Sequence, residues 1–168
     1  QGIKRRKPLK AMREWVGIVR RLFNLERVTF EGEIMKVRDL RLDLGFGRPR
    51  EPIHVPIYIG ATGLKMMELS GEIADGVLLN AFTSVQYLKT SLEHIGLGAR
   101  KAGRKMNEID LPQLIGVAMS DDTAKAKDEA RYLVTLYLGQ QPHIGIASGI
   151  KKSLIKEINA ALGGWPPK

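Results

Sequence analysis

The sequence predicts an α/β fold built on parallel strands, and three observations carry that expectation. Short apolar runs recur at Val55–Gly60, Val77–Leu79 and Leu111–Met119. Their apolar character on both faces suits strands buried on both sides of a sheet. Between them lie segments with helical periodicity, and strands separated by helices of ~10–20 residues fold as right-handed βαβ units.

The elements follow in order. Pro8 to Leu25 reads as a helix: Pro8 suits a first turn. Leu9, Met12, Val16, Val19 and Phe23 recur at helical spacing, with Trp15 and Leu22 widening the stripe. Val28 and Phe30 before Glu31-Gly32, with Ile34, Met35 and Val37 after it, predict a β-hairpin. Arg41 to Leu44 continues extended, and 45–56, rich in Gly and Pro, is a loop leading into the Val55–Gly60 strand. Leu64 to Ala74 is the next helix, with Met66, Met67, Leu69 and Ile73 for its buried face. Asp75-Gly76 turns the chain into Val77–Leu79. Ser84 is an N-cap for a helix to about Gly103, striped by Val85, Leu88, Leu92 and Ile95. After the Leu111–Met119 strand, Asp121 or Asp122 caps a helix to Leu138 that Gly139 stops, with Ala130, Leu133, Val134 and Tyr137 facing inward. The chain then loops from Gln140, forms a short helix over Lys151–Leu162, and ends in Trp165-Pro166-Pro167 without a stable element.

Composition bounds the function. The chain of 168 residues is 43% hydrophobic and 27% charged, which suits one folded domain rather than a disordered segment. No apolar run approaches the ~18 residues of a membrane span. With no cysteine, disulfides and thiolate metal sites are excluded, which fits a cytoplasmic protein. The net charge of +9 sits at the ends: residues 1–27 carry nine basic side chains against two acidic, whereas 28–150 carry fourteen against fifteen. Lys4-Arg5-Arg6-Lys7 could neutralise nucleic-acid phosphates, but no aromatic interleaves it, and a solvated helix start explains it more simply.

The chemistry concentrates in Gly60-Ala61-Thr62-Gly63-Leu64-Lys65-Met66. A strand delivers its carboxyl end to a turn of small residues and a helix begins at once. Parallel folds bind ligands at that end of their strands. A helix start offers unpaired N–H groups and partial positive charge, so the bend can cradle a phosphate, with the Thr62 hydroxyl and Lys65 as added donors. A tight packing turn is the alternative. Neither a Walker A loop nor Gly-x-Gly-x-x-Gly fits the spacing. Asn80, at the next strand's carboxyl end, and His143, on a loop after a helix, are substrate-pocket candidates. Asp75 reads as a strand-entry cap and Thr83 as a weak pocket candidate. His54, His94 and His143 share no metal spacing, and no metal is expected. Glu68 and Glu72 read as a solvated helix face, and Met66-Met67 as core.

The stretch Pro56 to Asn80, PIYIGATGLKMMELSGEIADGVLLN, resembles the signature region of the luciferase-like flavin and deazaflavin oxidoreductases. Pro8 to Val16 and Thr29 to Val37 are similar to the helix and insertion hairpin that precede it there. Gly139-Gln-Gln-Pro-His143 and Ala147-Ser-Gly149 resemble the archaeal methylenetetrahydromethanopterin reductase branch. Leu64 stands where the family often has Pro. The resemblance implies a partial TIM (β/α)8 barrel, with about three parallel strands and an insertion hairpin. It places the first four barrel strands before residue 1 and the last after residue 168; a whole barrel needs about 250 residues. It implies that Gly60 to Met66 contact the phosphate or side chain of coenzyme F420, with FMN as the alternative. It also implies hydride transfer to a pterin-type substrate, methylenetetrahydromethanopterin, and a homo-oligomer when full length. The residues touching the ring and the pterin lie mostly on the missing strands. No catalytic residue is assigned here, and this chain alone is expected to be inactive. An FMN-dependent monooxygenase of the same family and a basic α/β binding module stand as alternatives.

Overall fold

A computed structural model describes residues 6–47 and 51–163. The Lys4-Arg5 half of the basic cluster and the Trp165–Pro167 tail lie outside them. Helix α1 (Pro8–Phe23) is followed by an antiparallel hairpin, β1 (Val28–Glu31) and β2 (Lys36–Leu40). A β-α-β unit comes next: β3 (Tyr58–Gly60), α2 (Leu64–Ile73) and β4 (Gly76–Leu78), with β3 and β4 parallel. Helices α3 (Val85–Lys101), α4 (Thr123–Gln140), α5 (Pro142–Ala147) and α6 (Lys152–Ala161) complete the chain.

Local sequence explains the boundaries. Ser84 caps α3, its hydroxyl accepting the Tyr87 N–H at 3.1 Å, and Asp122 caps α4 by accepting from Ala124 at 2.8 Å. After α3 the chain reverses through Gly103 at φ 67°, a left-handed position that glycine adopts without strain.

Gly139 does not stop α4, which runs through it to Gln140. Glycine weakens a helix by only about 1 kcal/mol, and here its bareness is used. A Cβ at Gly139 would stand 2.5 Å from Leu162 Cδ1, so α6 packs directly on the α4 backbone. The region after Gln140 is likewise no loop but α5, with Pro142 in its first turn and Ile144 fully buried. In α4 itself Leu133 is 40% exposed, not inward.

The third strand is realised only in part. Beside β4, Asp110 to Leu114 runs parallel through hydrogen bonds from Asp110 N to Asp75 O, Val77 N to Asp110 O, Leu79 N to Pro112 O and Leu114 N to Leu79 O. Beyond Leu114 the chain departs, leaving Ile115 77% and Met119 84% exposed. Arg41 to Leu44 is also not a strand.

The sheet is covered on one face only, against the expectation of strands buried on both. Ile59, Ala61, Val77 and Leu79 are buried under the helices. On the other face Tyr58 is 44% and Leu78 37% exposed, since no described element lies over them. An apolar groove of about 720 Å³ between α1 and β3, lined by Met12, Trp15, Ile57 and Met66 among others, leaves that strand edge open. Trp15 is 55% exposed rather than part of the core.

Two contacts set the helix layer. Helices α2 and α3 cross where Gly71 faces the Ile95 carbonyl and Gly98 faces the Glu68 carbonyl. This close crossing turns α3 so that Tyr87, Ser91, Ile95 and Ala99 are buried, while the expected Val85 and Leu92 are exposed. Small residues, not the largest apolar ones, select the packed face.

The hairpin is tied down by Glu14 on α1, which is buried. Its carboxylate accepts the N–H groups of Glu33, Ile34 and Met35 at 3.0, 3.0 and 2.8 Å. Hydrogen bonds to a charged group contribute about 1.5–3 kcal/mol each at most. Glu14→Ala strands three turn amides and is expected to cost about 2–3 kcal/mol in chemical denaturation. Fast hydrogen exchange at Glu33–Met35 should accompany it. An unchanged midpoint would show that the hairpin holds itself.

Candidate functional site

The two ends of the parallel pair have different chemistry. At the amino end, burial opposes ionisation of Asp75, but hydrogen bonds outweigh it: Arg20 at 2.8 Å and the Ile57 N–H at 2.7 Å. They hold its carboxyl below the usual aspartate range. Asp75 thus joins α1, β3 and β4 and lies at the opposite end from the glycine bend. A depressed native pKa means that Asp75 adds stability above the unfolded-state pKa of about 3.9, lost as pH falls through the native value. Asp75→Asn is expected to flatten the pH dependence of melting temperature below about pH 4; a profile parallel to the parent would refute this. Nearby, Tyr58 donates to Asp110 at 2.6 Å, a bond that raises the phenol pKa, and its ring covers Gly76.

At the carboxyl end, the candidates assemble. β3 ends at Gly60, paired with Leu78; Thr62 and Asn80 each stand two residues past the ends of these strands. Gly63 is the N-cap of α2, extended at φ −96°, ψ 138°, with no side-chain cap. Among the described residues, the N–H groups of Gly63, Leu64 and Lys65 have no protein acceptor. The Met66 N–H is different: it donates to Gly63 O at 2.9 Å, so it is removed from the set of free donors. Met66 itself packs against the core, and Met67 is fully buried.

The glycines carry the sharpest information. Neither Gly60 nor Gly63 has a positive φ, and a Cβ at either would meet nothing within 4 Å. Neither backbone strain nor packing within the described residues requires glycine there. A side chain at either position would extend into open space, and three free amides start the helix beside them, so an anionic group fits this bend.

The loop backbone is held from behind. Tyr87, buried on α3, donates its hydroxyl to Thr62 O at 2.6 Å, and burial raises its pKa. Nothing in the spacing singled out Tyr87, because its contact lies 25 residues away. His143 Nε2 stands 3.1 Å from Thr62 Oγ1, so two of the expected site residues do meet. Lys65 does not bring its ammonium to the bend; its side chain lines the groove between α1 and α2 with Lys10, Arg13, Glu68 and Glu72. Those two glutamates are paired, Glu68 with Lys101 and Glu72 with Arg13, as structural links rather than acid–base groups.

Asn80 accepts the Ala81 N–H on its own Oδ1 at 3.0 Å, and Thr83 Oγ1 donates to Asn80 O at 3.4 Å. Beyond it Phe82 takes a left-handed φ of 53°, unusual for a side chain with a Cβ. Its ring packs over Gly116 and lies 5.2 Å from the Tyr137 ring. The Tyr137 hydroxyl is buried without a partner among the described residues, and burial raises its pKa.

A β-α-β unit with open amides beyond its strand ends places the chain among α/β proteins of the barrel or doubly wound class. The chain belongs to the luciferase-like monooxygenase family, whose profile matches residues 1–157. It is 35% identical over 162 residues to the 5,10-methylenetetrahydromethanopterin reductase of Archaeoglobus fulgidus, covering 96% of this chain and 47% of that protein. To the F420-dependent glucose-6-phosphate dehydrogenase of Nakamurella multipartita it is 30% identical over 158 residues, covering 92% and 45%. The coenzyme F420 dependent tetrahydromethanopterin reductase structure from Methanopyrus kandleri superposes with a TM-score of 0.76 at 28% identity, over 93% of this chain and 44% of that one. The fold is therefore part of a luciferase-like TIM barrel, as the resemblance implied. The chain spans about half the length of the curated relatives it matches. Among the described residues no helix is long and apolar enough to cross a membrane.

Proposed function

We propose that this chain holds the phosphate of coenzyme F420 at the Gly60–Met66 bend of an F420-dependent oxidoreductase. The observation that carries the reading is the three amides of Gly63, Leu64 and Lys65 with no protein acceptor, beside Gly60 and Gly63 whose Cβ positions are open. An F420-dependent dehydrogenase and a coenzyme F420 dependent reductase among the relatives support the coenzyme.

The finer proposal is hydride transfer from reduced F420 to methylenetetrahydromethanopterin, in the cytoplasm and in a homo-oligomer. The support for the reaction is the 35% identity to a reductase so named. The coenzyme supplies the hydride, while the protein binds and orients it. Here the Gly63, Leu64 and Lys65 amides take the anion and Tyr87 fixes the loop carbonyl.

Fluorescence titration of the full chain with F420 and with FMN tests this. Saturable F420 binding, tighter than FMN, is expected. Tighter FMN binding would favour the flavin monooxygenase. Binding of neither, with salt-dependent nucleic-acid binding that is lost on neutralising Lys4 to Lys7, would replace the reading by a basic module.

A further inference from the structure

Helix α5 straps the carboxyl ends of both parallel strands. Near its start, His143 Nε2 reaches Thr62 Oγ1 beyond β3 at 3.1 Å. At its end, Ser148 Oγ accepts the Ser84 N–H beyond β4 at 3.2 Å. Between them Ile144 is fully buried, and Gly145 lies so close to α4 that a Cβ would come within 2.7 Å of Leu138 Cδ2. The backbone under His143 is therefore held on both sides, although the ring itself is exposed.

Thr62 is constrained in a complementary way. Its carbonyl already accepts from Tyr87, so the loop backbone is fixed and only the hydroxyl rotor remains free. A hydroxyl has one proton and two lone pairs. If the imidazole Nε2 accepts that proton, Thr62 turns only lone pairs toward the bend, and lone pairs repel an anion. If Nε2 carries hydrogen and donates to Oγ1, the Thr62 proton is free for another acceptor near the start of α2. The heavy-atom positions are the same in both cases; an anion at the bend selects the second.

We propose that His143 is a positioning residue for coenzyme phosphate: its Nε2–H donates to Thr62 Oγ1 and so sets the Thr62 hydroxyl as a further donor to the anion. This rests on the coenzyme reading above. It gives His143 a role at the phosphate, in place of the substrate-pocket role expected from its loop position. The pair then discriminates by charge: it favours a ligand with a phosphate and is indifferent to the ring system.

The test is a double-mutant cycle on the full chain, read as dissociation constants for F420 and for its deazaflavin chromophore lacking the phosphate-bearing side chain. His143→Leu and Thr62→Val are each expected to weaken F420 about tenfold, the weight of one hydrogen bond to a charged group. The double variant should be no worse than about either single, because both changes remove the same donor. His143→Gln, which keeps an N–H donor, should recover binding to within about threefold of the parent. Melting temperatures should be unchanged in all variants, which reports that they are folded, and any binding of the chromophore should be unchanged as well. Additive losses, equal losses for the chromophore, or full F420 affinity in His143→Leu would each overturn the positioning role while leaving phosphate binding at the bend intact. A parent protein that binds F420 no better than the chromophore would overturn both.

Discussion

Gly63→Trp is expected to weaken F420 binding at least about a hundredfold, or ~2.7 kcal/mol, while the melting temperature stays where it was. The two halves of that expectation have separate causes. The Gly63 backbone is extended at φ −96°, which any residue adopts, and a Cβ there meets nothing within 4 Å. The folded protein therefore has no reason of its own to reject a side chain. The indole would instead occupy the volume in front of the Gly63, Leu64 and Lys65 amides and keep an anion from them. Losing two hydrogen bonds to a charged group, at about 1.5–3 kcal/mol each, is enough for the predicted loss. A melting temperature that falls steeply would mean that another part of the protein packs on Gly63. Unchanged affinity would mean that the phosphate sits elsewhere.

The second large effect is on stability. At the α2–α3 crossing a Cβ on Gly98 would lie 1.7 Å from the Glu68 carbonyl oxygen, and one on Gly71 would lie 2.1 Å from the Ile95 oxygen. Both obstacles are helix backbone, so neither can rotate away. Alanine at Gly98 gains about 1 kcal/mol of helix propensity. Parting two packed helices costs about 1–3 kcal/mol in ordinary overpacking and more against rigid backbone, so the clash wins. Gly98→Ala should lose at least about 3 kcal/mol, a melting temperature lower by roughly 10 °C in a chain of this size. Gly17 on α1 is the control. It is exposed, with nothing within 4 Å of its Cβ position, so Gly17→Ala should be neutral or stabilising by up to about 1 kcal/mol. Equal behaviour of the two variants would refute the close crossing.

Most of the architecture was readable because its signals are local. Pro8 opens α1, Ser84 caps α3, and the apolar runs ending at Gly60 and Leu79 do lie in the parallel unit. The failures share a physical origin. Periodicity ranks residues by hydrophobicity, so it chose Val85 and Leu92 for the buried face of α3. The Gly71–Gly98 crossing instead buries Tyr87 and Ser91. Gly139 and Pro142 carry breaker chemistry in isolation, yet tertiary packing on Leu162 and the burial of Ile144 make both parts of helices. The apolar Leu111–Met119 run reads as one strand, but only its first residues find a partner.

The site was legible as a bend and not as an assembly. Gly60 to Lys65 announce a strand end and a helix start. The contacts from Tyr87 and His143 to Thr62 join positions 25 and 81 residues apart, which no spacing rule connects. Met66 is expected among the anion-facing residues, but its amide closes the first turn of α2 on Gly63. Lys65 was expected to add charge, but its stem follows the α1–α2 groove.

A crystal structure of the full chain with bound F420 tests the central claim most directly. The account predicts a phosphate oxygen about 2.7–3.2 Å from the Leu64 and Lys65 nitrogens, with Gly60 and Gly63 bare against it. A phosphate bound elsewhere, with those nitrogens capped by other protein groups, would contradict it.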